Sequence, residues 1–402
     1  MNILFVTWDG PQSSYLEGLF LPIFKKLNEV GFHFHVLQFT WADKTIISTR
    51  KKASLEAGCS YESISILRKP VALGSLFTAI TGCRHIRKAI LKNNIDMVLP
   101  RSNLPALSTL LALRGLKTKF VFDSDGLALD ERVDFAGLSP SGPIYRLLRD
   151  IEAQAVRRAD TVLVRSTKAA DILLARAGAG TSQEKFYAVT NGRDMSLFNP
   201  GTQDTRASTR ESLGIEINVP LLVYAGSIGP QYCVTAMLHL FELVLEKQPT
   251  AHFLILTGSP EIIHQELENW SHLIESITIK SFAANEVPAY LACADLGLAF
   301  RKTSFSMQGV APIKLGEYLL CGLPLVATNG IGDTDSIDKK AGFLLEFLDE
   351  HELRSVANWF VDQVLPYRAS LREHCREIGE ANFSLQASAD SYHRALSHIS
   401  MD

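Results

Sequence analysis

The chain has 402 residues, 40 of them Lys or Arg and 43 Asp or Glu, for a net charge of −3. That length exceeds what one hydrophobic core usually serves and predicts two domains. With 47% hydrophobic and 21% charged residues, the composition is that of a soluble globular protein. No apolar run approaches the ~20 residues that span a bilayer. The opening "MNILFVTWDG" reads as a strand running into a turn rather than as a signal peptide.

The small net charge conceals an asymmetry. Residues 1–200 carry 26 basic and 18 acidic residues, a net of +8, and residues 201–402 carry 14 and 25, a net of −11. Opposite signs predict two domains with different partners, the basic half facing something anionic.

In chain order, "NILFVTW" is a β-rich run. From Tyr15 the apolar positions Leu16, Leu19, Phe20, Ile23, Phe24, Leu27 and Val30 follow a helical period. "FHFHVLQF" and "SYESISIL" are two more strands, and a helix is predicted over about 75–93. Strands at "IDMVLP" and "KFVFDS" with a helix between them, a long helix at about 141–158, then "TVLVRS" and "KFYAVT" complete the first half. The second half repeats the alternation with "PLLVYAG", "HFLILTG", "ITIKSF", "LGLAF", "PLVAT" and "GFLLEF", and helical stretches fill 348–400. Alternating strand and helix predicts parallel sheets covered on both faces. The fold expected is therefore α/β, two doubly wound Rossmann-like domains, with the break near the turn-rich segment 189–209. Ligands of such sheets sit beyond the carboxyl ends of the strands, so the loops after strands are where chemistry is sought.

Six cysteines, with no C-x-x-C pair, are expected to be buried and reduced, and eleven scattered histidines form no ligand cluster, so no metal site is predicted. After the first strand, "WDGPQSSY" carries Gly10 and leads into a helix. It is either an anion-holding helix start or a plain turn with a serine cap. It lacks the G-x-G-x-x-G dinucleotide fingerprint, and "YAGSIGPQY", with Gly226, Ser227 and Gly229, lacks the lysine–serine pair of a phosphate-hydrolysing loop.

The segment 300–318, "FRKTSFSMQGVAPIKLGEY", is richer. Lys314 falls in the first turn of a helix, where the dipole disfavours a cation, and Glu317 lies one turn on in an otherwise apolar stretch. Either the two form an i,i+3 ion pair, or Lys314 meets a bound anion and Glu317 accepts hydrogen bonds from a ribose diol. Asp125, in the acidic run after "KFVFDS", is a candidate to orient or deprotonate an acceptor hydroxyl, or else a helix cap. Arg101 is a second candidate for an anion. On the helix at 75–92, Arg84, Arg87, Lys88 and Lys92 line up opposite Leu76, Phe77, Ile80, Ile86 and Ile90. That basic face, with Arg68, Lys69, Lys25 and Lys26, either docks on anionic lipid or is simply solvated.

"KLGEYLLCGLPLVA" and "NGRDMSLFNP" resemble the donor-binding signature and the domain-junction segment of family-4 retaining glycosyltransferases with the GT-B fold. "WDGPQSSY" and "YAGSIGPQY" are similar to the corresponding loops of bacterial polysaccharide-assembly members. The resemblance implies an acceptor-side domain at 1–197, a nucleotide-sugar domain at 198–380, and a terminal helix at 381–402 crossing back. It implies that Glu317 binds the donor ribose, that Gly226, Ser227, Gly229 and the backbone around Ser306, Gly309 and Val310 receive the diphosphate, and that Arg301 and Lys314 offset its charge. Gly10 would approach the sugar and phosphate, and Phe282 the base. Asn191, Gly192 and Asp194 would form a structural turn. Many members carry a further glutamate eight residues before the ribose-binding one, where this chain has Gly309.

The activity so implied is metal-independent transfer of a hexosyl group from a UDP or GDP sugar, used as substrate and not as cofactor. The acceptor would be a saccharide or lipid-linked saccharide, and the enzyme cytoplasmic or peripheral at the inner membrane face. Nucleic acid is not among the expected partners. A nucleotide-sugar 2-epimerase of the same fold and a catalytically silent nucleotide-binding subunit are the alternatives.

Overall fold

A computed structural model describes residues 1–399. Two compact units emerge. Among the described residues the first comprises Met1–Thr190, Gln308–Val310 and 388–399, and the second Asn191–Met307 and Ala311–Ala387.

In the first unit the elements run β1 (Asn2–Asp9), α1 (Leu21–Glu29), β2 (His33–Thr40), α2 (Lys44–Glu56), β3 (Ser60–Ser65), α3 (Val71–Lys92), β4 (Met97–Pro100) and α4 (Asn103–Ala112). They continue as β5 (Lys119–Asp123), α5 (Ala128–Ala136), α6 (Pro143–Arg158), β6 (Thr161–Val164), α7 (Thr167–Ala177) and β7 (Phe186–Ala188). The seven strands form one sheet in the order β3-β2-β1-β4-β5-β6-β7, every neighbouring pair parallel. Parallel strands covered on both faces read as unbroken apolar runs, and β1 shows why. Leu4 and Val6 enter a core shared with α3 and α7, while Phe5 turns the other way onto the rings of Phe20 and Phe24. Side-chain caps fix where helices begin: Asp43 Oδ1 accepts from Ile46 N at the start of α2, and Ser166 Oγ from Ala169 N at the start of α7.

The helix expected at 75–93 is α3, but the apolar residues expected together opposite its basic residues do not share one face. Ile86 and Ile90 are buried, whereas Phe77 and Ile80 are exposed. The stripe that packs inward is Gly74, Thr78, Ala79, Gly82, Ile86, Ala89 and Ile90. Its small residues allow close approach: Ser108 Oγ on α4 bonds Ala79 O, and a Cβ on Gly82 would overlap the Phe39 ring. Phe77 and Ile80 have apolar character but fall outside that stripe.

The second unit runs α8 (Gln203–Ser212), β8 (Leu221–Ala225), α9 (Val234–Leu245), β9 (His252–Leu256), α10 (Pro260–Leu267), β10 (Ile277–Lys280), α11 (Val287–Cys293) and β11 (Leu296–Ala299). It closes with α12 (Ile313–Leu320), β12 (Leu325–Thr328), β13 (Gly342–Leu345), α13 (Glu350–Trp359) and α14 (Arg368–Phe383). Its six strands lie in the order β10-β9-β8-β11-β12-β13, all parallel. The last helix, α15 (Leu385–His398), starts in this unit and from Ser388 belongs to the first. There Ser388 Oγ donates to Thr190 O, and Tyr392 is fully buried against Arg165.

Both sheets reverse direction at one place, β1/β4 in the first and β8/β11 in the second. In open α/β sheets the crevice at that reversal is where ligands bind. The loops that open there follow Asp9 and Pro100 in one unit and Ala225 and Ala299 in the other, so they carry Gly10, Arg101, Gly226 and Arg301. All six cysteines are unpaired thiols, four of them fully buried.

Candidate functional site

In the second unit the loops after β8 and β11 and the start of α12 bring cations and glycines together. Gly226 has φ +147°, and a Cβ there would strike the Lys314 ammonium. Only glycine satisfies both conditions. The Lys314 Nζ lies 4.9 Å from the Tyr224 ring and 4.7 Å from the Tyr232 ring. Arg301, the other occupant of the cage, lies 4.9 Å from the Tyr232 ring and donates to the Tyr232 hydroxyl at 3.4 Å. Tyr224 donates to Ser227 O at 2.5 Å, tying the cage to the loop.

Burial of the ammonium pushes the Lys314 pKa down to about 7, repulsion from Arg301 adds to this, and Glu317 opposes it. Two cations thus share one aromatic wall, and among the described residues no carboxylate forms an ion pair with Lys314. The i,i+3 pair does not form: Glu317 Oε1 is held by Arg193 Nε at 2.9 Å. Arg193 in turn reaches the site because its backbone N–H bonds Phe383 O and its guanidinium also donates to Gly192 O. Tyr318, next to Glu317, is fully buried; it accepts from Ala225 N and donates to Leu298 O, fixing α12 against the ends of β8 and β11.

Ser227 is exposed on the loop, Gly229 O accepts from Tyr232 N, and Ser306 is buried with its hydroxyl 3.2 Å from that of Ser304. Phe282 stacks on Tyr290 at 3.9 Å with Lys280 above it, leaving it half-buried. Asn191 donates to Ala311 O, and Asp194 Oδ1 accepts from Ser196 N, a turn that places Arg193.

Gly309 and Val310, expected at the diphosphate in the nucleotide domain, group with the first unit. The reason glycine stands at 309 is steric. A Cβ there would lie 2.7 Å from Leu127 Cγ and 2.8 Å from Leu127 N, and one on Gly126 would lie 2.6 Å from Gly309 O. Gln308 O accepts from Ser166 Oγ at 2.6 Å. The two backbones touch, and an acidic side chain at 309 has no room. Gly309→Glu should therefore destabilise by about 1–3 kcal/mol, as overpacking does, read as a lowered urea midpoint.

In the first unit Gly10 abuts the Trp41 ring, which a Cβ would overlap. The loop it belongs to is pinned by Arg50, which is 1% exposed and donates to Gly10 O at 2.9 Å and Ser13 O at 2.6 Å, with Glu17 at 3.1 Å. Arg50→Met strips these partners and leaves Glu17 uncompensated. The expected loss is about 3 kcal/mol, seen as early unfolding in urea. Asp125 takes a left-handed backbone, φ +55°, and its carboxylate is bound by Arg101 Nη2. Burial pushes its pKa above the ordinary carboxylate range, and Arg101 works against that. Asp123 accepts from the Asp125 N–H and from Arg165. Asp125 is thus one member of an ion-paired array at the ends of β4 to β6.

Arg193, Arg50 and the two tyrosines of the cage did not stand out in the sequence. Arg193 had a signal, a cation at the variable position of N-G-x-D. Arg50 had none, being one basic residue in a polar helix. Among the described residues no group of three or more His, Cys, Asp or Glu is arranged to hold a metal.

Residues 219–362 match the family "Glycosyl transferases group 1". The matched stretch is similar to a group 1 glycosyltransferase domain. It contains the Gly226 loop, Arg301, Lys314 and Glu317. A D-inositol 3-phosphate glycosyltransferase of Corynebacterium jeikeium is 27% identical over 266 residues, 62% of this chain and 60% of that one. The chain covers 50–60% of the length of the curated relatives it matches.

Among solved structures, Anabaena Alr3699/HepE in complex with UDP and glucose superposes with a TM-score of 0.73 at 17% identity, covering 99% of both chains. WaaG, a glycosyltransferase involved in lipopolysaccharide biosynthesis, gives 0.69 at 17% identity and covers 98% of both. Two parallel sheets of seven and six strands, each covered by helices, give the chain the GT-B fold that these neighbours share.

Proposed function

We propose that the chain is a retaining glycosyltransferase that moves a hexosyl group from a UDP or GDP sugar to a saccharide or lipid-linked saccharide acceptor without a metal. The observation that carries this reading is the cation pair Arg301 and Lys314 on one tyrosine wall, beside a glycine loop at the sheet reversal, with Glu317 one helical turn away. A nucleoside diphosphate matches that order of groups: phosphates against the cations, ribose diol against the carboxylate. The HepE neighbour, solved with UDP and glucose, supports the same class of donor.

In this reading Glu317, oriented by Arg193, accepts from the ribose hydroxyls. The Gly226–Gly229 loop offers backbone N–H groups to the diphosphate, and Phe282 lies on the loop after β10 as a wall for the base. As the glycosidic bond breaks, negative charge grows on the leaving diphosphate. Arg301 and Lys314 stabilise it where it develops, which is where such groups accelerate most. The leaving phosphate oxygen then takes the proton of the incoming hydroxyl, so a free side-chain base is not required. Arg101 and Asp125 in the first unit face the acceptor.

Thermal shifts with UDP, GDP, ADP and CMP test the donor. The cognate diphosphate at a hundredfold excess over its Kd should add ~2.7 kcal/mol of stability. Release of nucleoside diphosphate from the sugar nucleotide only when a saccharide acceptor is present would support transfer. No shift with any of the four nucleotides would sink the reading.

A further inference from the structure

The solvent face of α3 plays no part in the chemistry above. Between Glu62 and Asp96 the chain has no acidic residue and six Lys or Arg. Leu73, Phe77, Ile80, Arg84, Lys88 and Leu91 recur at three- or four-residue spacing and are all exposed, which puts them on one line of the helix. The preceding loop extends this line. A Cβ on Gly74 would overlap Leu67 O, and Leu67 N donates to Thr78 Oγ1 at 3.1 Å, so Leu67 and Arg68 lie beside the first turns of α3. Leu67, Val71, Leu73 and Phe77 are each more than half exposed. Arg68 rests 4.2 Å over the ring of Trp41, itself partly exposed. Arg87 is spent internally, on the carbonyls of Ala112 and Arg114.

Single exposed apolar residues are ordinary, but five within fourteen residues, flanked by unpaired-sign charge, are not. We propose that this face docks the protein on an anionic lipid bilayer. Leu67, Val71, Leu73, Phe77 and Ile80 enter the headgroup boundary while Arg68, Lys69, Arg84 and Lys88 meet lipid phosphates. Charge complementarity selects this occupant over a second copy of the chain. A two-fold contact would set the patch against itself, basic residue against basic residue with no acid in the stretch to relieve it.

The test is co-sedimentation of the full chain, without nucleotide, with phosphatidylcholine vesicles containing about a third phosphatidylglycerol. Because no donor is added, the result is independent of the proposed chemistry. Binding should be strong at low salt, and weak with phosphatidylcholine alone or at high salt. Phe77→Ser/Ile80→Ser and Arg84→Glu/Lys88→Glu change only exposed side chains, so both should keep the native circular dichroism and each should lower the partition at least about tenfold. Absence of sedimentation with anionic vesicles, or variants that sediment like the parent, overturns the proposal. So does a dimer by light scattering that Phe77→Ser/Ile80→Ser dissolves while vesicle binding stays unchanged.

Discussion

Lys314→Met is expected to weaken binding of the cognate nucleoside diphosphate by about a hundredfold or more, since truncating one member of a desolvated charge pair costs about 2–5 kcal/mol. The same variant should be more stable than the parent when no ligand is present. In the folded chain the Lys314 pKa is about 7, against 10.5 in the unfolded chain, because the ammonium is buried beside Arg301. The folded state therefore disfavours the charged form. That cost is fully present below pH 7 and is relieved as pH rises from about 7 towards 10.5. Methionine carries no charge and packs well against aromatic rings. Thermal melts at pH 6 should show the variant above the parent, with the gap closing by pH 10.

Ligand affinity should move in the opposite direction with pH. A diphosphate favours the charged lysine, so binding above pH 7 takes up a proton, and affinity falls by up to about tenfold per pH unit. Calorimetry in buffers of different ionisation enthalpy measures that proton directly. Lys314→Arg, which does not titrate in this range, should flatten the pH profile. Unchanged affinity in Lys314→Met would remove the lysine from the site altogether.

Glu317→Gln should weaken nucleoside diphosphate binding by about ten- to a hundredfold, the worth of hydrogen bonds to a charged acceptor. Its signature lies in the ribose. The parent should bind a 2′- or 3′-deoxy nucleotide less well than the ribonucleotide, and Glu317→Gln should erase much of that difference. Arg193→Met should produce part of the same loss, because Arg193 holds one oxygen of the carboxylate at 2.9 Å. The double variant should fall short of the sum, as expected of residues in direct contact. If Arg193→Met bound ribo- and deoxynucleotides like the parent, the positioning role would fail. Full discrimination surviving in Glu317→Gln would place the ribose elsewhere.

Much of the fold could be read along the chain. The seven apolar runs of the first half and the six of the second became the thirteen strands of the described residues, because fully buried parallel strands and the helices between them leave local signals of period and turn. The glycine loops at Gly10 and Gly226, and the Lys314–Glu317 spacing on α12, were likewise legible, since they depend on residues within a turn or two of one another.

Partnerships across the chain were not legible. Glu317 faces Arg193, 124 positions away, rather than Lys314 three positions away. Strand order and register decide which loops meet at the sheet reversal, and neither is written in any local pattern. The same holds for Arg50 on the Gly10 loop and for the tyrosine cage around Lys314. For α3, spacing indicated an amphipathic helix but put Phe77 and Ile80 opposite the basic residues, whereas they share the exposed side with Arg84 and Lys88. Hydrophobicity alone cannot rank them against Gly74, Thr78 and Gly82, whose smallness is what lets α4 and Phe39 approach. Gly309 shows the division most plainly. The resemblance to family-4 glycosyltransferases implied a carboxylate there, and the chain has glycine instead. Only the packing of Leu127 and Gly126 against that backbone shows why no side chain fits. Local periodicity determined the elements, and long-range steric and electrostatic contact, set by how the sheets assemble, decided the site.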